Sequence, residues 1–320
     1  MQNNQQKILE VLKTNAYVSG ETIAEQLSIS RTAVWKHIKN LQKIGYHIES
    51  KPNKGYLLCK RPNDLIPEEI VPRLNTGIIG QEFYHLKNID STNVYAKQLM
   101  EKNPKEGTVI LSEIQTSGRG RKSRPWISSK DGLWFSVILF PLLSPQQAMY
   151  VTMTASIAIV QAIQTICGLD AEIKWTNDIL IMGKKVCGIL TEIDAEIDQV
   201  NYSIIGIGMN VNNKLPDELK EKAISLQMVK KTRIDRKALL CSILEHFDTL
   251  YIGLKDKRLD EIKKKWLSSS KMIGKKIIVH GEKDSITGTV KGINDQGCLL
   301  LKDHEGMKKI VTGDIEYIKK

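Results

Sequence analysis

Between Gln115 and Trp126 the chain sets Gly118, Arg119, Gly120, Arg121, Lys122 and Arg124 close together and ends on an indole. Glycine lets backbone amides approach an anion, and arginine forks match phosphate or carboxylate oxygens two at a time. Trp126 offers a flat apolar face on which an adenine ring can stack. Neighbouring cations repel, and no helix or strand periodicity runs through the segment, so it is expected to stay mobile until an anion orders it. A solvated basic linker or an RNA-binding tail has the same composition, so the surrounding residues have to decide.

Three other clusters bear on that decision. Asp90-Ser91-Thr92-Asn93 follows an expected strand and precedes an expected helix, Val94 to Glu101. Hydroxyls and an amide there either cap the helix or hydrogen-bond a ligand. Lys174-Trp175-Thr176-Asn177-Asp178 leads into a hairpin that returns through Lys184-Lys185 to Gly188, which sets an ammonium beside a closely approaching ligand. Asp178 is suited to hold Mg²⁺ or to orient an incoming amine. The plain alternative is a β-turn rimmed by solvated lysines. Gly206-Ile207-Gly208-Met209-Asn210 closes an apolar strand, where the glycines permit backbone approach and the Asn210 amide suits an adenine amino group. A strand-end turn is again the plain reading. Neither G-x-x-x-x-G-K-[ST] nor G-x-G-x-x-G is present, and the six histidines show no metal-ligand spacing. Anion-binding arginines, a stacking platform, small polar groups and no evident covalent nucleophile suit adenylate chemistry, in which positioning and charge neutralisation do the work.

These clusters lie in the middle of three parts. Residues 1–63 open with short amphipathic helices marked by Ile8, Leu9, Val11 and Leu12, then by Ile23, Ala24 and Leu27. Ser30 is placed to cap a third helix running to Ile44, with Val34, Ile38 and Leu41 inward. Arg31, Thr32, Trp35, Lys36 and Lys39 then project outward. A hairpin follows, Tyr46 to Ser50 and Tyr56 to Leu58, with Lys51 and Lys54 at its tip. Helix-turn-helix plus a basic-tipped hairpin predicts a winged-helix DNA-binding domain that faces DNA with Ser30, Arg31, Thr32, Trp35, Lys36, Lys39, Lys51 and Lys54.

Pro62 and Pro67 interrupt the periodicity, so residues 64–270 form the middle domain. It has expected strands at 109–111, 133–139, 173–175, 179–181 and 204–208 and an apolar helix from Ala148 to Cys167. Expected helices at 236–251 and 259–266 close it, giving a mixed β-sheet backed by helices. Residues 271–320 alternate short strands with glycine turns and predict a small β-barrel. The whole is a multidomain α+β chain.

Composition narrows the setting. With Lys+Arg at 47 against Asp+Glu at 36, the net charge of +11 favours anionic partners. Cys59, Cys167, Cys187, Cys241 and Cys298 are scattered, which suits free thiols in a reducing cytoplasm. The polar opening Met1 to Gln6 predicts no secretory signal, and no apolar run is read as spanning a bilayer, so no membrane partner is expected.

At these residues the chain resembles the bifunctional biotin protein ligases of the biotin operon repressor type. In that family Ser-Thr-Asn, Gly-Arg-Gly-Arg, Lys-Trp-Pro-Asn-Asp and Gly-x-Gly-x-Asn occur in this order, and the likeness covers essentially the whole chain. Thr176 departs from the family's usual proline, which loosens the expected turn, and Lys122-Ser123 falls where the family varies. The resemblance implies a central sheet of the class II synthetase and biotin ligase type and an SH3-like C-terminal barrel. It implies that biotin and MgATP give biotinyl-5′-AMP, and that the biotin then passes to a lysine of a biotin carboxyl carrier domain of acetyl-CoA or pyruvate carboxylase. By the same likeness Ser91, Thr92, Asn93, Gln115, Gly118, Arg119, Gly120, Arg121, Lys185 and Gly188 surround biotin. Arg119, Arg121, Trp126 and Asn210 hold ATP. Arg119, Arg121, Lys185 and Asp178 are catalytic, with Asp178 serving Mg²⁺ or the acceptor amine. Biotinyl-5′-AMP is expected as corepressor, promoting a homodimer on operator DNA of biotin genes. The competing expectations are a lipoate-type ligase, and a ligand-sensing repressor without ligase activity.

Overall fold

Local sequence explains the first elements directly. Helix α1 (Asn4–Val11) buries Ile8 and Leu9, and α2 (Gly20–Leu27) begins where the Ser19 hydroxyl accepts the Thr22 N–H at 3.0 Å. Helix α3 (Arg31–Lys43) begins the same way, the Ser30 hydroxyl accepting the Ala33 N–H at 3.1 Å, and it turns Val34, Ile38 and Leu41 inward. Strands β1 (His47–Lys51) and β2 (Gly55–Lys60) form the antiparallel wing. Gly55, at φ +100°, passes so close to the Val18 backbone that any side chain would collide with it. Ile66 joins this core ahead of the short helix α4 (Pro67–Ile70). Within α4 the buried Glu69 accepts from the Tyr46 hydroxyl and from Arg61, each at 2.7 Å. This computed structural model describes residues 4–281 and 284–318, which fold as two compact units, Met1–Arg73 and Leu74–Lys320. Of the polar opening Met1 to Gln6, the first three residues therefore lie outside the described ones, and Asn4 to Gln6 begin α1.

The second unit is built on one mixed sheet. Its elements in chain order are β3 (Phe83–Ile89), α5 (Thr92–Met100), β4 (Val109–Gln115), β5 (Leu133–Leu139), α6 (Met149–Cys167), β6 (Glu172–Lys174), β7 (Asp178–Ile181), β8 (Lys184–Ala195) and β9 (Val200–Met209). Helices α7 (Leu226–Lys230), α8 (Arg236–Lys255) and α9 (Leu259–Ser269) follow. The strand order is β3-β4-β5-β9-β8-β7-β6, with β3 and β4 parallel and the other pairs antiparallel. Helix α6 lies between this sheet and α8 and α9, which is why it is apolar on nearly every side. Against the sequence expectation, Pro145–Cys167 is long and apolar enough to cross a membrane by length and composition, yet 72% of the apolar 18-residue segment within it is buried by the rest of the protein.

The C-terminal strands β10 (Lys276–His280), β11 (Ser285–Ile293), β12 (Leu299–Lys302), β13 (Met307–Ile310) and β14 (Asp314–Tyr317) form an antiparallel sheet ordered β13-β12-β11-β10-β14. This β-domain is fastened to the larger sheet. The Trp175 indole donates to Gly297 O at 3.1 Å, and Lys174 and Lys275 lie over the Tyr317 ring at 5.6 and 4.8 Å.

One carboxylate secures the start of the second unit. Asp248, on α8 and buried, accepts the backbone N–H groups of Gly77, Ile78 and Ile79 at 2.7–2.8 Å. Asp248→Ala strips three donors of a charged acceptor and should lower unfolding free energy by about 3 kcal/mol. Urea denaturation measures it, and a loss below about 1 kcal/mol contradicts the anchoring role.

Candidate active site and nucleic-acid interface

The register of two strands, β8 and β9, gathers three glycines into one patch in the middle of the large sheet. Gly206 and Gly208 lie two residues apart on β9 and so share a face, and Gly208 pairs with Gly188 on β8. The glycines lie in the last four residues of β9, within the strand expected at 204–208, and do not form the turn of the plain alternative. Close packing explains their type. A Cβ on Gly206 would collide with the Asn93 amide, one on Gly208 with the Trp126 indole, and one on Gly188 would stand 3.1 Å from Trp126 Cζ3.

Polar groups wall the patch on the α5 side. Helix α5 begins at Thr92, two residues earlier than expected. Ser91 occupies its N-cap position, yet makes no capping bond with its side chain. Gln115 Oε1 accepts the Thr92 N–H at 2.8 Å and the Thr92 hydroxyl at 3.1 Å, while Gln115 Nε2 donates to Ser128 Oγ at 2.8 Å. Ser136 donates to Asn93 Oδ1 at 2.6 Å, and Asn93 Nδ2 donates to Glu192 at 2.7 Å. Asn93 therefore braces the wall through both ends of its amide, whereas Ser91 is buried with its hydroxyl unused by the helix.

Cations wall the opposite side. Lys185 Nζ lies 2.6 Å from Asp178 Oδ1 and 5.0 Å from the centre of the Trp126 ring. Lys185 is fixed through its backbone, since its N–H donates to Lys222 O at 2.9 Å and its carbonyl accepts from Ile224 at 3.0 Å. The basic loop, expected from its charges to stay mobile until an anion orders it, takes a closed conformation here. Gly120 N–H donates to Arg124 O and Trp126 N–H to Gly118 O, both at 2.8 Å, closing the loop on itself. Its cations are not left to repel one another. Arg124 pairs with Asp314 at 2.6 Å, Lys122 approaches the same carboxylate at 3.6 Å, and Arg121 donates to Thr312 at 3.1 Å. Burial opposes ionisation of Asp314, but the Arg124 bond and the charges of Arg124, Lys122 and Arg121 hold its carboxyl below the usual range.

Arg121 also donates to the Thr176 hydroxyl and, at 3.0 Å, to Asn177 Oδ1. Thr176, the departure from the family pattern, is thus itself a partner of the loop, and the Trp175–Thr176 peptide is cis. Arg119 is exposed, and its guanidinium bonds to no described residue. Burial holds Lys174 below, and the Cys187 thiol well above, their usual ranges, so Cys187 is no nucleophile.

The cleft enclosed in this way has a volume of about 460 Å³, within the range of small-ligand sites. Ser91, Thr92, Asn93, Gln115, Arg119, Gly120, Arg121, Trp126, Asp178, Lys185, Gly188 and Asn210 all line it. Gly118 does not. It packs behind the cleft, where a Cβ would stand 2.7 Å from Ser128 Oγ. Sequence reasoning missed Leu215, Leu219, Lys222 and Ala223, which form a further wall, and Asp314, which starts a strand the sequence reading did not register. Asp314→Asn should speed trypsin cleavage between Arg119 and Arg124 about three- to fivefold, because an ion pair this exposed contributes roughly 1 kcal/mol. An unchanged cleavage rate rules out the β-domain as the loop's anchor.

The first unit presents a separate polar surface. Arg31, Thr32, Trp35, Lys36 and Lys39 are exposed along α3, and the first three line a groove bounded by the wing residues Lys51, Pro52 and Asn53. Ser30 uses its hydroxyl to cap α3. Lys54 is exposed, while Lys51 lies 3.4 Å from Glu49 and 5.0 Å from the centre of the Tyr17 ring. The bond to Tyr17, then the Glu49 charge, holds Lys51 above the usual lysine range.

Comparison with known proteins matches each part of the chain to a family. Residues 4–57 match an HTH domain, 86–210 the biotin/lipoate A/B protein ligase family and 272–317 the biotin protein ligase C terminal domain. The chain is 42% identical over 306 residues to the bifunctional ligase/repressor BirA of Bacillus subtilis, covering 94% of each protein. It is 27% identical to the bifunctional ligase/repressor BirA of Escherichia coli, over 97% of this chain and 95% of that one. A solved biotin protein ligase from Aquifex aeolicus, in complex with biotin and ATP, superposes with a TM-score of 0.66 at 30% identity. The match covers 75% of this chain and all of that one.

Proposed function

Since the chain belongs to the BirA bifunctional ligase/repressor family, we propose that its central cleft makes biotinyl-5′-AMP and its winged helix carries that product's signal to DNA. It is an ATP-dependent biotin–protein ligase joined to a DNA-binding repressor. The observation that carries the ligase reading is the convergence of the bare glycine patch, the Ser91–Gln115 polar wall and Arg119, Arg121 and Lys185 on one cleft. Three functional modules, 1–63, 64–270 and 271–320, follow from this reading, although residues 64–73 pack with the first compact unit.

The chemistry sets the demands. A biotin carboxylate oxygen attacks the α-phosphorus of ATP, and pyrophosphate leaves. The two reactants are both anions, so cations must stand at the junction. Arg119, Arg121 and Lys185 supply them. The Ser91, Thr92 and Gln115 groups suit the ureido ring of biotin, which both donates and accepts hydrogen bonds, and Gly188, Gly206 and Gly208 let the ligand lie on backbone. Trp126 and Asn210 hold the adenine. The acceptor lysine then attacks the biotinyl carbonyl carbon, and AMP leaves. Among the described residues no cluster of three metal-ligating side chains exists, but Mg²⁺ takes one or two carboxylates plus phosphate oxygens, and Asp178 fits that role. When bound, Mg²⁺ supplies positive charge to the phosphates.

Biotinyl-5′-AMP acts as corepressor by promoting a homodimer. Among the described residues, β8 beyond Ile189 pairs with β9 alone, and Ile193 on that stretch and Ile197 in the turn after it are exposed. A strand edge flanked by apolar side chains suits pairing with a second copy. Operator DNA of biotin genes, and a biotin carboxyl carrier domain of acetyl-CoA or pyruvate carboxylase, complete the partners, and the cytoplasm is the setting.

Biotin-dependent ATP–pyrophosphate exchange, run beside a gel shift on a biotin-synthesis promoter, tests this reading. Exchange with biotin and a ligand-dependent shift support it. Exchange with lipoate instead would make the chain a lipoate-type ligase, and a shift without exchange would leave a sensor.

A further inference from the structure

We propose that Trp35 recognises thymine in the DNA half-site, its indole packing on the 5-methyl group in the major groove. The inference rests on the DNA-binding reading and adds the base being read. Trp35 is 51% exposed, whereas Trp134, Trp175 and Trp266 are 0, 3 and 2% exposed. Helical register explains the difference, since Val34, Ile38 and Leu41 occupy the inward face of α3 and leave Trp35 on the outward one, between Arg31 and Lys39. Lys39 Nζ stands 6.0 Å from the centre of the indole ring.

A large aromatic ring kept in water gains nothing from the unit's own core, and on the outward face of the recognition helix it stands where DNA would bury it. The cations around it, Arg31, Lys36 and Lys39, select a polyanion over an apolar protein surface. Within the major groove, thymine alone presents an apolar group, and indole has one N–H donor and no acceptor. Trp35 is the fifth of 13 residues in α3, in the half of a recognition helix that meets base edges. An indole there matches the thymine methyl better than any polar base edge.

The test uses the full chain with biotin and MgATP, and a duplex selected by that chain from random sequence. Each thymine of the half-site is replaced in turn by deoxyuridine, which removes only the methyl group. At one or more positions the change should weaken wild-type binding about three- to fivefold, the effect expected for one buried methyl group. Trp35→Phe should keep that discrimination. Trp35→Ala should bind more weakly overall and lose it, with melting and biotin-dependent exchange unchanged. A deoxyuridine penalty that persists in Trp35→Ala, or is absent from the wild type, overturns the assignment. Failure to select any duplex instead defeats the DNA-binding reading, and this inference with it.

Discussion

Replacing Lys185 with alanine should lower biotin-dependent ATP–pyrophosphate exchange by about two to three orders of magnitude, with the fold retained. The expectation follows from where the ammonium stands. It lines the cleft 2.6 Å from Asp178 and 5.0 Å from the Trp126 ring centre, and its backbone is held by Lys222 and Ile224 independently of the side chain. The substitution therefore removes a charge without moving the strand. In water the encounter of two anions is screened, but in a cleft that excludes solvent a fixed cation is worth several kcal/mol to charge developing at phosphorus. Lys184 is the internal control. It precedes Lys185, donates to Lys220 O at 2.7 Å, and does not line the cleft, so Lys184→Ala should stay within about twofold of the wild type. Equal effects of the two substitutions, or a Lys185→Ala rate within about threefold of wild type, would contradict the assigned role.

Much of the site was legible because its signals are local. Gly-Arg-Gly-Arg, Ser-Thr-Asn and the Asp178 to Gly188 hairpin each place their chemistry within a few residues, and β5 is legible at its observed bounds because Leu133–Leu139 is apolar at every position but Ser136. Register was not legible. Periodicity says that Gly206 and Gly208 share a face, but nothing local says that Gly188 stands opposite Gly208, so close backbone approach and a plain strand-end turn both stay open there. The loop shows the same limit more sharply. Considered alone, its cations must repel, and mobility follows. The carboxylate that relieves them, Asp314, lies 190 residues from Arg124 and has no counterpart signal near the loop. The length of β8 was missed for a similar reason, because Thr191 to Ala195 is mostly polar and exposed and is held only by β9.

Biotin and MgATP together should lower the chain concentration that half-saturates an operator duplex by about a hundredfold, and the Lys185→Ala chain should lose that shift. One winged helix on one half-site binds weakly. Joining two copies makes the second contact intramolecular, and the gain is set by effective concentration, not by any new contact with DNA. The coupling must therefore pass through dimerisation, and the exposed β8 edge is the surface proposed for it. Ile193→Asp puts a desolvated charge in that edge pairing, so it should abolish the shift while exchange stays within about twofold. Added biotinyl-5′-AMP should restore the shift to Lys185→Ala, which lacks synthesis, but not to Ile193→Asp, which lacks the partner. Linkage demands the converse too: operator DNA must tighten biotinyl-5′-AMP binding by the same factor that biotinyl-5′-AMP tightens the operator. Sedimentation and fluorescence anisotropy on the same samples measure both sides. A hundredfold shift retained by a chain that stays monomeric would place the coupling inside one copy and exclude the edge as its carrier.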